Sequence, residues 1–263
     1  MIVKKKKKVK KRFRIKKKKS IFKSKVFWIL LLSILSACGF VYLLIFSQIF
    51  QVKEIDISGN SIISNEQLLK VIEPSIRKQI IWETKSIFLI DLNKIEQEIL
   101  KQFPEIENIE LKRRLPELLI SEVKERQVFA AIRLPSGKIF NVDKYGIAFE
   151  ERQRQNDLLV DFSDEKEFVF GENVIDAEKL KAISEIKKSL QKRLDIETEE
   201  LLFLNDRLNV TTSQGFKIYF GFTSDVEDQI FNLEMLGKEK LKMEELQNLE
   251  YIDLRFGDKV FYK

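Results

Sequence analysis

The sequence predicts an α+β protein: a single transmembrane helix, a small domain of order β-α-α-β-β, then a mostly antiparallel β domain with flanking helices. Three observations carry this. Residues 26–50 form one uncharged apolar run between Lys25 and Lys53. Two segments of helical period are bracketed by segments of strand period across residues 51–125. From residue 126 onward, short alternating runs are punctuated by Gly and Pro turns. The expected boundaries are a basic tail at 1–25, a membrane helix at 26–48, the small domain at 51–125 and the β domain at 126–263.

Charge is divided between two regions. Of 47 Lys and Arg, 15 lie in residues 1–25, where there is no acid. That leaves 32 basic residues against all 41 acids in the remainder, a net of −9, so the overall +6 describes neither part. The apolar run exceeds the ~20 residues a helix needs to cross a hydrocarbon core about 30 Å thick. Trp28 at one end and Ser47-Gln48 at the other suit the interfaces. By the positive-inside rule the tail stays in the cytoplasm and residues 51–263 lie outside it. Leu35-Ser36-Ala37-Cys38 offers a rival, a lipoprotein cleavage box, although the apolar run continues past it to Phe46. The lysine runs suit topology and anionic plasma-membrane lipid; their rival reading is sequence-independent nucleic-acid binding, which is not the expectation.

Several chemistries are excluded by residue type. The chain has no His and a single cysteine, Cys38, so Ser-His-Asp and Cys-His sites, imidazole metal centres and intramolecular disulfides are ruled out. No local pair of carboxylates stands out as acid and base. We therefore expect no catalytic, cofactor or metal site and no small-molecule substrate.

The elements follow in order. Ile55 and Ile57 alternate as a short strand, and Gly59-Asn60 turns the chain. Ser64 with Gln67 forms a capping box for a helix carrying Leu68, Leu69 and Ile72, which Pro74 is expected to stop. A loop with Trp82 leads to Asp91, the cap of a second helix with Leu92, Ile95, Ile99 and Phe103 on one face. Strands are expected at 109–113 and 118–123, separated by Pro116. Further strands fall at 128–134 and 138–142, with a turn at Tyr145-Gly146. The 151–175 stretch is ambiguous, and its 161–165 run reads as a solvated acidic loop. Asp176 caps a helix with Leu180, Ile183, Ile186 and Leu190 inward. A meander spans 201–204, 208–212 and 216–222, Asp225 opens another helix, and two final strands close the chain.

Two stretches carry a family resemblance. Phe50-Gln51-Val52-Lys53-Glu54-Ile55-Asp56-Ile57-Ser58-Gly59-Asn60, directly after the span, resembles the start of a POTRA domain. Phe103-Pro104-Glu105-Ile106-Glu107-Asn108, continuing to Pro116 and closed by Val123-Lys124-Glu125-Arg126, resembles its end. With the terminal Tyr251-Ile252-Asp253-Leu254-Arg255-Phe256, the layout resembles the FtsQ/DivIB family of bacterial cell-division proteins. Ser121 departs from the pattern, standing where an apolar residue is usual. The resemblance implies a non-enzymatic divisome scaffold, single-pass in the plasma membrane at the septum, that recruits FtsB/DivIC- and FtsL-type bitopic partners. The alternative is another POTRA-bearing envelope assembly or secretion component, or a lipoprotein if Cys38 is cleaved.

A partner site is expected at the end of the chain. Final strands lie at a sheet edge, whose unpaired N–H and C=O groups accept an added strand. By alternation Leu254 and half of the neighbouring aromatics face the core, which leaves the others outward. Tyr251, Arg255, Phe256, Lys259 and Phe261 are the candidate residues, with Arg255 placed to pair with a partner's carboxylate. The resemblance implies docking of the FtsB/DivIC-type partner at this segment.

Overall fold

A computed structural model describes residues 24–77, 85–151, 158–239 and 249–263. The lysine-rich tail and Trp82 lie outside them. The first helix, α1 (Lys25–Phe46), has no buried residue and is long and apolar enough to cross a membrane. Its 22 residues span about 33 Å. A single 3₁₀ turn at Gln48–Phe50 follows, capped by the Ser47 hydroxyl, which accepts from the Ile49 N–H.

Next comes a three-stranded sheet of β1 (Glu54–Ser58), β2 (Ile106–Arg114) and β3 (Leu118–Glu125), in the order β1-β3-β2. β3 is central, parallel to β1 and antiparallel to β2. Two amphipathic helices, α2 (Asn65–Arg77) and α3 (Leu92–Gln102), close one face with Leu68, Ile72, Ile95 and Ile99. The expected caps are in place. Ser64 Oγ accepts from the Gln67 N–H while Gln67 Oε1 accepts from the Ser64 N–H, and Asp91 accepts from the Lys94 N–H. Pro74 does not stop its helix. It sits inside α2, which runs one more turn because Ile76 still has core to fill and the Ser75 hydroxyl returns to the Val71 carbonyl. Ser121 is fully buried on the core face, its hydroxyl without a partner among the described residues.

The second sheet has nine strands: β4 (Ala130–Arg133), β5 (Ile139–Val142), β6 (Ala148–Glu151), β7 (Leu159–Phe162), β8 (Thr198–Phe203), β9 (Arg207–Thr212), β10 (Lys217–Gly221), β11 (Tyr251–Phe256) and β12 (Lys259–Tyr262). Their order is β12-β11-β10-β9-β8-β7-β4-β5-β6. Five neighbouring pairs are antiparallel and three are parallel. Parallel neighbours need a long crossover, and α4 (Ala177–Leu194) between β7 and β8 and α5 (Val226–Glu239) between β10 and β11 lie in two of them. Both helices share one core with the inward residues of the sheet, including Ile183, Ile186, Ile230, Leu233, Phe220 and Leu254.

One expectation fails here. The 161–165 run is not simply a solvated loop: Asp161 and Phe162 belong to β7, and Asp161 is buried and paired with Arg133 on β4. The parallel β4–β7 neighbourhood places that carboxylate beside a cation across the sheet, a juxtaposition no local pattern shows.

Adjacent residues fix the chain between the two sheets. The buried Glu125 carboxylate accepts from the N–H groups of Ser61, Ile62 and Ile63 and from the Ser61 hydroxyl, latching the loop before α2 onto β3. Burial raises its pKa, but those donors together hold it below the ordinary glutamate value. Arg126 donates to the Pro104 carbonyl and ion-pairs with Asp143 beyond β5.

Candidate partner-docking edge

The last two strands form a tight hairpin. β11 pairs antiparallel with β12, matching Ile252 with Tyr262, Asp253 with Phe261 and Phe256 with Lys259. The register shifts between Asp253 and Phe256, a bulge that turns the side chains near the hairpin end. Gly257 takes φ +63° in the connection, and its carbonyl accepts from the Asn232 amide of α5. At the other end Lys263 exchanges backbone hydrogen bonds with Glu250 and Tyr251 and ion-pairs with Glu250 at 2.9 Å.

Alternation divides β11. Ile252 and Leu254 are fully buried in the core, so Asp253 and Arg255 face the other side of the sheet. There Arg255 donates to both carboxylate oxygens of Asp253, at 2.9 and 2.6 Å. Burial raises the Asp253 pKa, but the Arg255 side chain and backbone N–H outweigh it and hold the carboxyl below its ordinary range. Conversely, the hydrogen bond from Asp253 raises the Arg255 pKa. The guanidinium lies over Tyr219 and Phe256, 5.8 and 5.4 Å from the ring centroids. Tyr219 stacks on Tyr251 at 5.5 Å, with Arg207 over its ring. Phe256 meets Phe261 edge-to-face at 5.3 Å.

β12 stands last in the sheet, with no strand beyond it among the described residues. Large apolar side chains are open along it and at the neighbouring end of β11: Phe261 is 49% exposed, Tyr262 45% and, on β11, Phe256 56%. At the opposite end of the sheet β6 is also terminal, but the 171–174 segment crosses it. There Gly171 N–H donates to the Ala148 carbonyl, Ala148 N–H to Glu172, and Val174 N–H to Gly146. Ile147 and Asn173 add a bridge.

Comparison with known proteins bears on what this layout is. Residues 50–126 match the model of the POTRA domain, FtsQ-type. Over 105 residues the chain is 35% identical to the cell division protein DivIB of Clostridium acetobutylicum. Both findings support the FtsQ/DivIB family. The alignment takes in 40% of this chain and spans only 38% of the length of that DivIB.

The POTRA domain holds the first sheet, and the expected partner-site residues all lie in the second. The structure brings Tyr251, Arg255, Phe256 and Phe261 into one cluster on neighbouring strands and leaves Lys259 exposed at the start of β12. Arg255 differs from the sequence reading in one respect: its guanidinium is already occupied by a carboxylate of its own strand. Asp253 is a buried mid-strand residue. Sequence reasoning missed Tyr219 and Arg207, which join the cluster from β10 and β9. The signal available was alternation in the meander, where Tyr219 falls between the core residues Ile218 and Phe220.

Proposed function

We propose that this chain is a non-enzymatic scaffold of bacterial cell division, anchored in the plasma membrane by α1 with residues 51–263 outside the cytoplasm. It holds small bitopic partners of the FtsB/DivIC and FtsL type at the septum, and one of them adds a strand to β12. The observation that carries the docking mode is the open β12 edge, fringed by exposed aromatics. Since Asp253 neutralises the Arg255 guanidinium, docking rests on main-chain pairing and on Phe256, Phe261 and Lys259. The FtsQ-type POTRA match and the DivIB similarity support the division role. A chain with no His and one Cys suits binding rather than chemistry.

Affinity purification of the full chain from its own membranes tests this. Small coiled-coil division proteins are expected to co-purify with the wild type and to be lost with Phe261→Lys. Retention by that variant removes the docking mode, and failure of the wild type to retain any division protein removes the scaffold reading.

A further inference from the structure

A second apolar surface lies at the other end of the extracytoplasmic region. Beyond the end of α1, Ile49 is 60% exposed. Against the next residues, Phe50 to Val52, the turn after Ser86 presents Phe88 and Leu89, 40% and 44% exposed, between the buried Ile87 and Ile90. Two sets of contacts hold this turn. The segment leaving the membrane helix is bonded to it: Ile87 N–H donates to the Phe50 carbonyl and Val52 N–H to the Lys85 carbonyl, both at 2.9 Å, and Gln51 bridges Ser86. From β2, the Arg113 guanidinium donates to the carbonyls of Ile87 and Ile90 at either side of the tip. The ring of Phe88 rests 5.3 Å from that of Phe50.

Single exposed apolar residues are ordinary on protein surfaces. Here Phe50 and Phe88 are in ring contact, with Ile49 and Leu89 as their chain neighbours, and covalent geometry places them near the bilayer. From Phe46 to Phe50 the chain can extend no more than about 14 Å. The interfacial layer on each side of the hydrocarbon is about 5–8 Å deep. The tip bonded to Phe50 is therefore held within about 14 Å of the end of the span, within reach of the headgroups, and Arg113 satisfies the Ile87 and Ile90 carbonyls. The adjoining cleft is lined by Lys53, Arg77 and Lys85 with one acid, Glu73, although Lys53 also pairs with Glu117. Those cations can donate to the phosphates of lipid headgroups.

We propose that Ile49, Phe50, Phe88 and Leu89 form a membrane-docking tip that inserts into the outer-leaflet interface, seating the POTRA domain on the bilayer instead of leaving it on a free tether. The occupant is lipid, and the proposal rests on the reading of α1 as a membrane span.

Fluorescence quenching in lipid vesicles tests it. The full chain carrying Cys38→Ser and Leu89→Cys is labelled with a nitrobenzoxadiazole fluorophore and reconstituted into phosphatidylcholine–phosphatidylglycerol vesicles. A headgroup nitroxide lipid should quench the Leu89→Cys label about two-fold or more, the depth expected of an interfacial apolar group. The same label at Gln214→Cys, an exposed turn residue between β9 and β10, should be unaffected. Wild-type protein labelled at Cys38 reports on the span and should be quenched by acyl-chain nitroxides. If Cys38 is not quenched, the span reading fails and the docking tip with it. If Cys38 is quenched while Leu89→Cys behaves like Gln214→Cys, the tip alone is overturned. A Leu89→Cys label shielded from water but not quenched by lipid is covered by protein, which also overturns it.

Discussion

The two ends of the nine-stranded sheet solve the same problem differently. At β6 the chain covers the start of its own edge: the 171–174 segment supplies backbone partners to Ala148 and to Gly146 just before the strand, and Ala148 and Phe149 are buried. At β12 nothing of the kind is present among the described residues, and Phe261 and Tyr262 stand half in water. The open end is not undefended, because Lys259 and the β11–β12 bulge are common devices against indiscriminate strand pairing. An edge both kept open and guarded suits a selective partner better than it suits a monomer's stability. The covered edge shows that this fold can close an edge when closure is all that is needed.

The comparison breaks most severely at Gly146. Its φ is +76°, and a Cβ there would lie 1.9 Å from the Ile175 carbonyl oxygen, directly under the covering segment. Gly146→Ala must therefore strain the backbone and push the cover off β6. We expect a loss of about 3 kcal/mol, the upper end of the range for overpacked and strained positions. Thermal unfolding of the detergent-solubilised chain measures it, and size-exclusion chromatography should show new self-association through the bared β6 edge. A variant as stable and monodisperse as the wild type would mean that the cover contributes little.

How legible these ends were in the sequence depends on how local their causes are. The caps at Ser64, Asp91 and Asp176 and the inward stripes of α3 and α4 follow from spacing along the chain, and they stand as expected. β7 went unseen because it is paired in parallel on both sides by strands remote in sequence, and β6, between a turn and the ambiguous 151–175 stretch, went unseen with it. Pro74 misled because tertiary burial of Ile76 outweighs the local stop signal. The terminal strands and their exposed aromatics were readable by alternation. The Asp253–Arg255 pair was not: the sequence reading gives Arg255 to a partner's carboxylate, and the shared face of β11 gives it to Asp253 instead.

That pair gives the next largest effect. Asp253→Asn leaves the Arg255 guanidinium with a neutral neighbour beneath the hairpin, costing about 1–2 kcal/mol, below the full value for a buried pair because Arg255 is partly solvated. The pH dependence identifies the cause. The folded pKa of Asp253 lies below its ordinary value, so its contribution is complete above about pH 4 and is lost as pH falls through the lower folded value. The difference in stability between wild type and Asp253→Asn should be constant from pH 7 to 5 and narrow only in stronger acid. A gap unchanged to pH 2, followed by thermal melts, would assign the loss to packing and not to charge.

The smallest effect on stability concerns Phe261, and it sharpens the contrast most. Its ring pairs edge-to-face with Phe256, but both are about half exposed, so truncation removes little buried area and leaves no cavity. An aromatic pair of this kind contributes about 0.5–1.5 kcal/mol when well packed. Phe261→Ala should therefore cost under about 1 kcal/mol. Phe149→Ala at the covered edge creates a cavity in a buried site and should cost about 3 kcal/mol or more. The reverse order is expected for partner retention: Phe261→Ala weakens it, and Phe149→Ala leaves it intact in whatever fraction stays folded. Measuring melting temperature and partner co-purification on the same two proteins tests both halves at once. If Phe261→Ala destabilises the chain as much as Phe149→Ala does, the aromatic fringe of β12 is part of the core, and its exposure gives no argument for a docking edge.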